Sequence, residues 1–175
     1  MAIEVVDLGC GSNKRPGSFG VDHYPFEGVD LVADLDRTPW PLESNRFDKV
    51  IMSHIIEHVA DIPAIMNEAH RISRHGAIVE VTTPHFSSLD SYQDPTHRWH
   101  LGTRWHEIFC QGYLRTQVAK FSFVSVEVSF GKNLRYWLPK LAIKYKGYVW
   151  WEKNYAFIYP GRDMTTRLQI EKSPS

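Results

Sequence analysis

The sequence predicts an α/β protein built on an open sheet, and three observations carry that expectation. The apolar run Ile3-Glu4-Val5-Val6-Asp7-Leu8 turns abruptly at Gly9-Cys10-Gly11, as a buried strand does where such a sheet receives its ligand. Two further short runs, Phe19-Gly20-Val21-Asp22 and Val29-Asp30-Leu31-Val32-Ala33-Asp34, each close on a carboxylate. Between two later apolar runs, Ile62, Ile65, Met66, Ala69 and Ile72 recur at helical spacing on one stripe.

The elements follow in order. Gly9 and Gly11 end the first strand, since without a Cβ their backbone takes tight dihedrals and lets a ligand approach closely. Eight residues, Ser12 to Phe19, then separate Gly11 from Gly20, with Pro16 and Gly17 among them. They are too few for the usual crossover helix, yet at about 3.3 Å per residue they can return along a short strand. The third strand is expected over 29–34, the fourth over 45–53 and the fifth over 77–83. The helix before the fifth strand takes Asp61 as N-cap, tolerates Pro63 in its first turn and ends at Gly76 as C-cap. Residues 84–102 read as loop and 103–111 as a short helix. Phe121 to Phe130 alternates as a half-buried strand, and 165–172 reads as the last strand.

The string Asp7-Leu8-Gly9-Cys10-Gly11 resembles motif I of class I S-adenosylmethionine (SAM) methyltransferases. The run from Pro39 to Val59, with Phe47-Asp48 introducing the fourth strand and Ser53-His54-Ile55-Ile56-Glu57-His58 closing it, is similar to the same family's segment beside the transferring methyl group. Dinucleotide binding is disfavoured, because Lys14 stands where G-x-G-x-x-G requires its third glycine. The resemblance covers Val5 to about Thr103. It implies a Rossmann-like sheet, mostly parallel with an antiparallel C-terminal edge, in a compact member lacking the helix after the first strand. It also implies SAM as cofactor, held by Asp7, Gly9, Cys10, Gly11, Asp22, His23, Asp34, Leu35, Ser53 and His54. Asp22 would accept the ribose hydroxyls, and Asp34 and Leu35 would meet the adenine. Because no normal helix follows the turn, Asn13 or Lys14 would have to help backbone donors hold the methionine carboxylate.

Methyl transfer is an in-line displacement that often needs a base for the acceptor's proton, and a histidine suits that task. His97 is the first candidate, oriented by Asp94, followed by His54 and His85. The bland reading of Asp94-Pro95-Thr96 is an Asx-turn against which His97 packs. Glu57 and His58 read as bracing the turn after the fourth strand. His54-Ile55-Ile56-Glu57-His58 also matches H-x-x-E-H, but it begins at a strand end and not within a long helix, which argues against a zinc protease. A metal activating the acceptor through the histidines, Asp94 and Glu57 is the minority reading, since no tight spacing demands one, and no metal is assigned.

Composition bounds the rest. A chain of 175 residues predicts one domain, 1–175, with 84–103 and 131–160 as acceptor-site lid or interface segments. Lys+Arg and Asp+Glu each total 20, so no global field recruits nucleic acid or an acidic membrane. Two cysteines give no disulfide framework and fit a reducing cytoplasm. No apolar run approaches the roughly 20 residues that span a bilayer. Between Lys132 and Lys153, six basic residues interleave with Tyr136, Trp137, Tyr145, Tyr148, Trp150 and Trp151. This segment reads as sheet cover, acceptor lid or homodimer surface. The function expected is methyl transfer to an oxygen or nitrogen of a small molecule. The alternatives are a tRNA or protein methyltransferase using residues 132–153, a non-catalytic SAM-binding module, and a metal-dependent hydrolase built on the histidines.

Overall fold

The structure, a computed structural model, describes residues 4–111 and 119–172. Ile3, the first residue of the expected first strand, lies outside them. Seven strands form one sheet: β1 (Val5–Leu8), β2 (Phe19–Asp22), β3 (Leu31–Val32), β4 (Phe47–Ser53), β5 (Ser73–Pro84), β6 (Phe121–Val128) and β7 (Asp163–Ile170). Their spatial order is β3-β2-β1-β4-β5-β7-β6. The pairings from β3 through β5 are parallel, and β7 runs antiparallel to both its neighbours, β5 and β6. Chain order reverses between β1 and β4, and at such a switch point an open sheet leaves a crevice beyond its strand ends.

No helix joins β1 to β2. The loop is held by hydrogen bonds instead: the buried Asp7 carboxylate accepts from Arg15 N (2.9 Å), and Gly9 N and Cys10 N both donate to Val21 O. Helix α1 (Ile62–Ile72) joins β4 to β5 and buries the predicted stripe Ile62, Ile65, Met66, Ala69 and Ile72. Each of its isoleucine and methionine side chains is worth about 1.5–3 kcal/mol when fully buried. Asp61 caps it, accepting from Ala64 N at 3.0 Å.

The expected C-cap at Gly76 is corrected. The helix stops at Ile72 and β5 begins at once, because the carbonyls of Arg71 and Ile72 are taken by Asn45 N and Arg46 N. With those acceptors satisfied, no left-handed cap is needed. Gly76 (φ 79°) lies inside β5, where the pairing to β4 slips between Phe47 and Lys49. The third strand is also shorter than expected, two residues against six. Residues after it form a packed loop: Trp40 is 3% exposed, its N–H donates to Glu68 Oε2, and its indole donates to Leu35 O.

Two one-turn helices, α2 (Asp90–Gln93) and α3 (Glu107–Cys110), punctuate the segment after β5. The basic-aromatic segment is a helical hairpin of α4 (Trp137–Lys146) and α5 (Tyr148–Tyr155), hinged at Gly147 (φ 81°). It docks through the fully buried Trp151, which meets Phe130 and His85, and through Glu152. Among the described residues, no helix is long and apolar enough to cross a membrane.

Candidate functional site

A cleft of about 270 Å³ opens beyond the C-terminal ends of β1, β2 and β4, lined by Gly9, Asp22, His23, Tyr24, Asp34, Leu35, Asp36, Ile55, His58 and Val59. Five residues named from sequence, Gly9, Asp22, His23, Asp34 and Leu35, thus converge on one concave surface. A more apolar cavity of about 400 Å³ lies on the helical hairpin, lined by residues such as Leu138, Leu141, Tyr145 and Trp150. It gathers no carboxylate or imidazole, whereas the strand-end cleft gathers three carboxylates and two imidazoles.

The glycine turn shapes that cleft. Gly9 has φ 68°, and a Cβ there would lie 2.0 Å from Ile55 Cδ1. Gly11 has φ 54°, and a Cβ there would meet nothing within 4 Å, so its backbone is open to a close neighbour. Asp22 is fixed by two backbone donors, Gly11 N to Oδ2 (2.8 Å) and Tyr24 N to Oδ1 (3.0 Å). Each oxygen keeps acceptor capacity, so the carboxylate is aimed and can still take two hydroxyls. Asp34 accepts from Asp36 N and pairs with Arg37, while the Leu35 side chain packs against the core.

Other predicted residues brace the turn. Burial pushes the Asp7 carboxyl up, against the pull of Arg15 N–H and its charge. Burial, with the nearby Asp7 and Asp22 charges, likewise raises the Cys10 thiol, which packs against Gly20. Asn13 is exposed on the loop, and its N–H closes a turn on Cys10 O. Lys14 does not face the cleft. Its ammonium pairs with Asp30 at 2.8 Å, and its stem lies along Gly20.

The histidine candidates separate. His85 is fully buried, with Nδ1 at Ser87 Oγ (2.8 Å) and Nε2 at Glu152 Oε1 (3.1 Å). Burial alone would raise the Glu152 carboxyl, but His85 and the Thr103 N–H outweigh it and hold the group below its ordinary range. His85 therefore ties the loop after β5 to α5, away from solvent and acceptor. Asp94 makes the Asx-turn, accepting from Thr96 N and Thr96 Oγ1, and stands 3.9 Å from His97 Nε2, beyond hydrogen-bond range. His97 Nδ1 faces Ser91 O at 3.0 Å, and its ring packs edge-on against His58.

His54 stands at the C-terminal end of β4. It follows Ser53 at the tip of β4, its backbone is left-handed (φ 56°), its N–H donates to Thr82 O, and its side chain is about half exposed. Its Nδ1 lies 3.4 Å from the buried Glu57 carboxylate, which raises the imidazole pKa. Sequence reasoning missed Ile55, Tyr24 and Val59 as cleft walls. The signal for Ile55 was its place directly after a strand-end pair, opposite a glycine that leaves room for it.

The chain matches the model of a family described as "Methyltransferase domain" over residues 2–139. No curated protein matches it. Among solved structures, it is similar to a SAM-dependent methyltransferase from Archaeoglobus fulgidus (TM-score 0.65, 18% identity, 96% of this chain and 86% of that one). It is also similar to a SAM-dependent methyltransferase from Mesorhizobium loti (TM-score 0.61, 14% identity, 96% and 91%). The [4+2]-cyclase SpnF is a further neighbour (TM-score 0.63, 15% identity, 98% and 76%).

Proposed function

The chain belongs to the methyltransferase-domain family and takes S-adenosylmethionine as cofactor, and from that premise we propose that it methylates an oxygen or nitrogen of a small molecule. The observation that carries the assignment of the cleft is the doubly anchored Asp22 beside the Cβ-free Gly9-Cys10-Gly11 turn. These residues fit the cofactor: a fixed, acceptor-only carboxylate suits a pair of vicinal hydroxyls, and open backbone at Gly11 suits close approach. When bound, the cofactor supplies a methyl group on an electrophilic sulfonium.

The protein's own groups do the remainder. Asp22 orients the ribose, Leu35 and Ile55 offer apolar walls, and Asp34 presents a carboxylate toward the adenine amine. The methionine end meets the exposed Asn13, since Lys14 is engaged with Asp30. His54 stands where the acceptor arrives. Its Nε2, the ring nitrogen turned away from Glu57, takes the acceptor proton as the new bond forms. Proximity then supplies much of the rate, by holding acceptor and methyl in line.

A balanced net charge and a cleft-sized site support a small acceptor. Two unpaired cysteines support a reducing, cytoplasmic setting. Incubation with methyl-labelled SAM and a fractionated metabolite extract tests this. The label is expected in a low-mass product, and His54→Ala is expected to cut turnover while SAM still binds. Label confined to RNA or protein would overturn the small-molecule assignment, and unchanged turnover in the variant would remove His54 from the reaction.

A further inference from the structure

We propose that Glu57, His58 and His97 form a site for one divalent transition-metal ion of the zinc class, which clips the segment after β5 onto the turn after β4. One ligating atom from each of the three lies within 4.8 Å of the other two. Two imidazoles and a carboxylate are a recurrent donor set for Zn²⁺, leaving a further position for water. With metal–ligand bonds of about 2.0–2.2 Å, tetrahedral ligand atoms sit about 3.4 Å apart, so separations of up to 4.8 Å would close by at most about 1.4 Å around the ion.

Two independent observations point to a cation. First, the Glu57 side chain is 1% exposed, and neither carboxylate oxygen has a hydrogen-bond partner. A buried carboxylate left so is costly, and such groups are found paired or bound to metal. The His54 imidazole, at 3.4 Å, is too distant and too exposed to complete its coordination. Second, both histidines are held in the tautomer that leaves Nε2 free to ligate. Thr96 Oγ1 gives its single proton to Asp94 Oδ1 (2.6 Å), so toward His58 Nδ1 (2.9 Å) it can only accept. His58 Nδ1 therefore carries the hydrogen, and Nε2 keeps its lone pair. The same logic fixes His97, whose Nδ1 faces the carbonyl of Ser91, an obligate acceptor. Metal-bound histidines are commonly oriented in this way, through a carbonyl or a relay ending on a carboxylate.

The site's place gives it a use. The Glu57 carbonyl already accepts from Arg98 N and Trp99 N, and Trp99 Nε1 donates to Val59 O. His58 and Val59 are walls of the strand-end cleft. An ion at this point would lock the Asp94–Trp99 segment to that wall. His97 is then a ligand that shapes the cleft, not a base.

The test uses the full chain, stripped with a chelator and titrated with Co²⁺ while its visible absorption is read, with Zn²⁺ as competitor. One saturable equivalent is expected, displaced by Zn²⁺. His58→Gln and His97→Gln should abolish the signal, whereas His75→Gln, at an exposed histidine remote from the cluster, should leave it intact. Thr96→Val keeps all three ligands and removes only the relay, and it should weaken binding about 10- to 100-fold. The absence of a saturable equivalent, an equal loss in His75→Gln, or unchanged affinity in Thr96→Val would overturn the site. Should a histidine variant fail to fold, the wild-type titration and Thr96→Val decide the matter. These readouts are metal binding, independent of methyl transfer.

Discussion

Replacing Gly9 with alanine tests whether the glycine turn is shaped by the side chain after β4. A Cβ at position 9 would fall 2.0 Å from Ile55 Cδ1 and 2.2 Å from Cγ1, and the residue's φ is 68°. Two costs follow. An L-residue in that left-handed conformation costs about 1–2 kcal/mol. Overlap with a packed side chain costs about 1–3 kcal/mol more. The sum, about 2–5 kcal/mol, is a large part of the 5–15 kcal/mol that stabilises a typical domain. For a chain of this length each kcal/mol lowers the melting temperature by about 2–4 °C. Ile55→Ala deletes both clashing atoms and leaves Ile55's own Cβ, which would lie 3.5 Å from the new methyl, at ordinary contact. In that background Gly9→Ala should cost only its backbone share, so a double-mutant cycle by denaturant unfolding should show about 1–3 kcal/mol of coupling. Strict additivity of the two substitutions would refute the packing argument.

Further outcomes follow from the same geometry. Lys14→Ala should leave SAM affinity within about twofold while lowering the melting temperature by a few degrees, because Lys14 pairs with Asp30 and lies along Gly20. A tenfold weaker Kd on calorimetry would return Lys14 to the site. Acid should destabilise the protein partly through Glu68. Burial opposes its ionisation, but Arg71 and the Trp40 N–H outweigh burial and hold its carboxyl below the ordinary value of 4.5. The unfolded chain then binds that proton more tightly, so the contribution is complete above about pH 4.5 and is lost as pH falls through the folded value. Glu68→Gln should be less stable near neutrality and should show a flatter decline in melting temperature below that pH. An unchanged slope would count against the ion pair.

The fold was legible because its signals are local. A β-branched run ending at Gly9-Cys10-Gly11, acids at positions 22 and 34, and a single apolar stripe from Ile62 to Ile72 each follow from backbone geometry and periodicity. The missing helix after β1 was legible too, since the eight residues from Ser12 to Phe19, with Pro16 and Gly17 among them, leave no room for one. Gly76 misled because glycine after an apolar stripe usually ends a helix, whereas here Asn45 and Arg46, nearly thirty residues upstream, had already satisfied the last carbonyls. Long-range pairings were not legible in the sequence. Lys14 meets Asp30 and His85 meets Glu152, and no spacing rule joins residues 16 and 67 positions apart. In sequence, His97, His54 and His85 stood in that order as candidate bases. Burial and packing separate them: His85 is a buried strut, His97 lies beside Glu57 and His58, and His54 is half exposed at the tip of β4.

We propose that the cleft beside Gly9 holds the cofactor's nucleoside through Asp22. Calorimetric titration of SAM and its demethylated product into the wild-type protein and into Asp22→Asn tests it most directly. The wild type should bind one equivalent of each. The variant keeps the side-chain shape but loses a charged acceptor, worth about 1.5–3 kcal/mol per hydrogen bond, so its affinity should fall about 10- to 100-fold. Failure of the wild-type protein to bind either ligand, or equal affinity in Asp22→Asn, would contradict it.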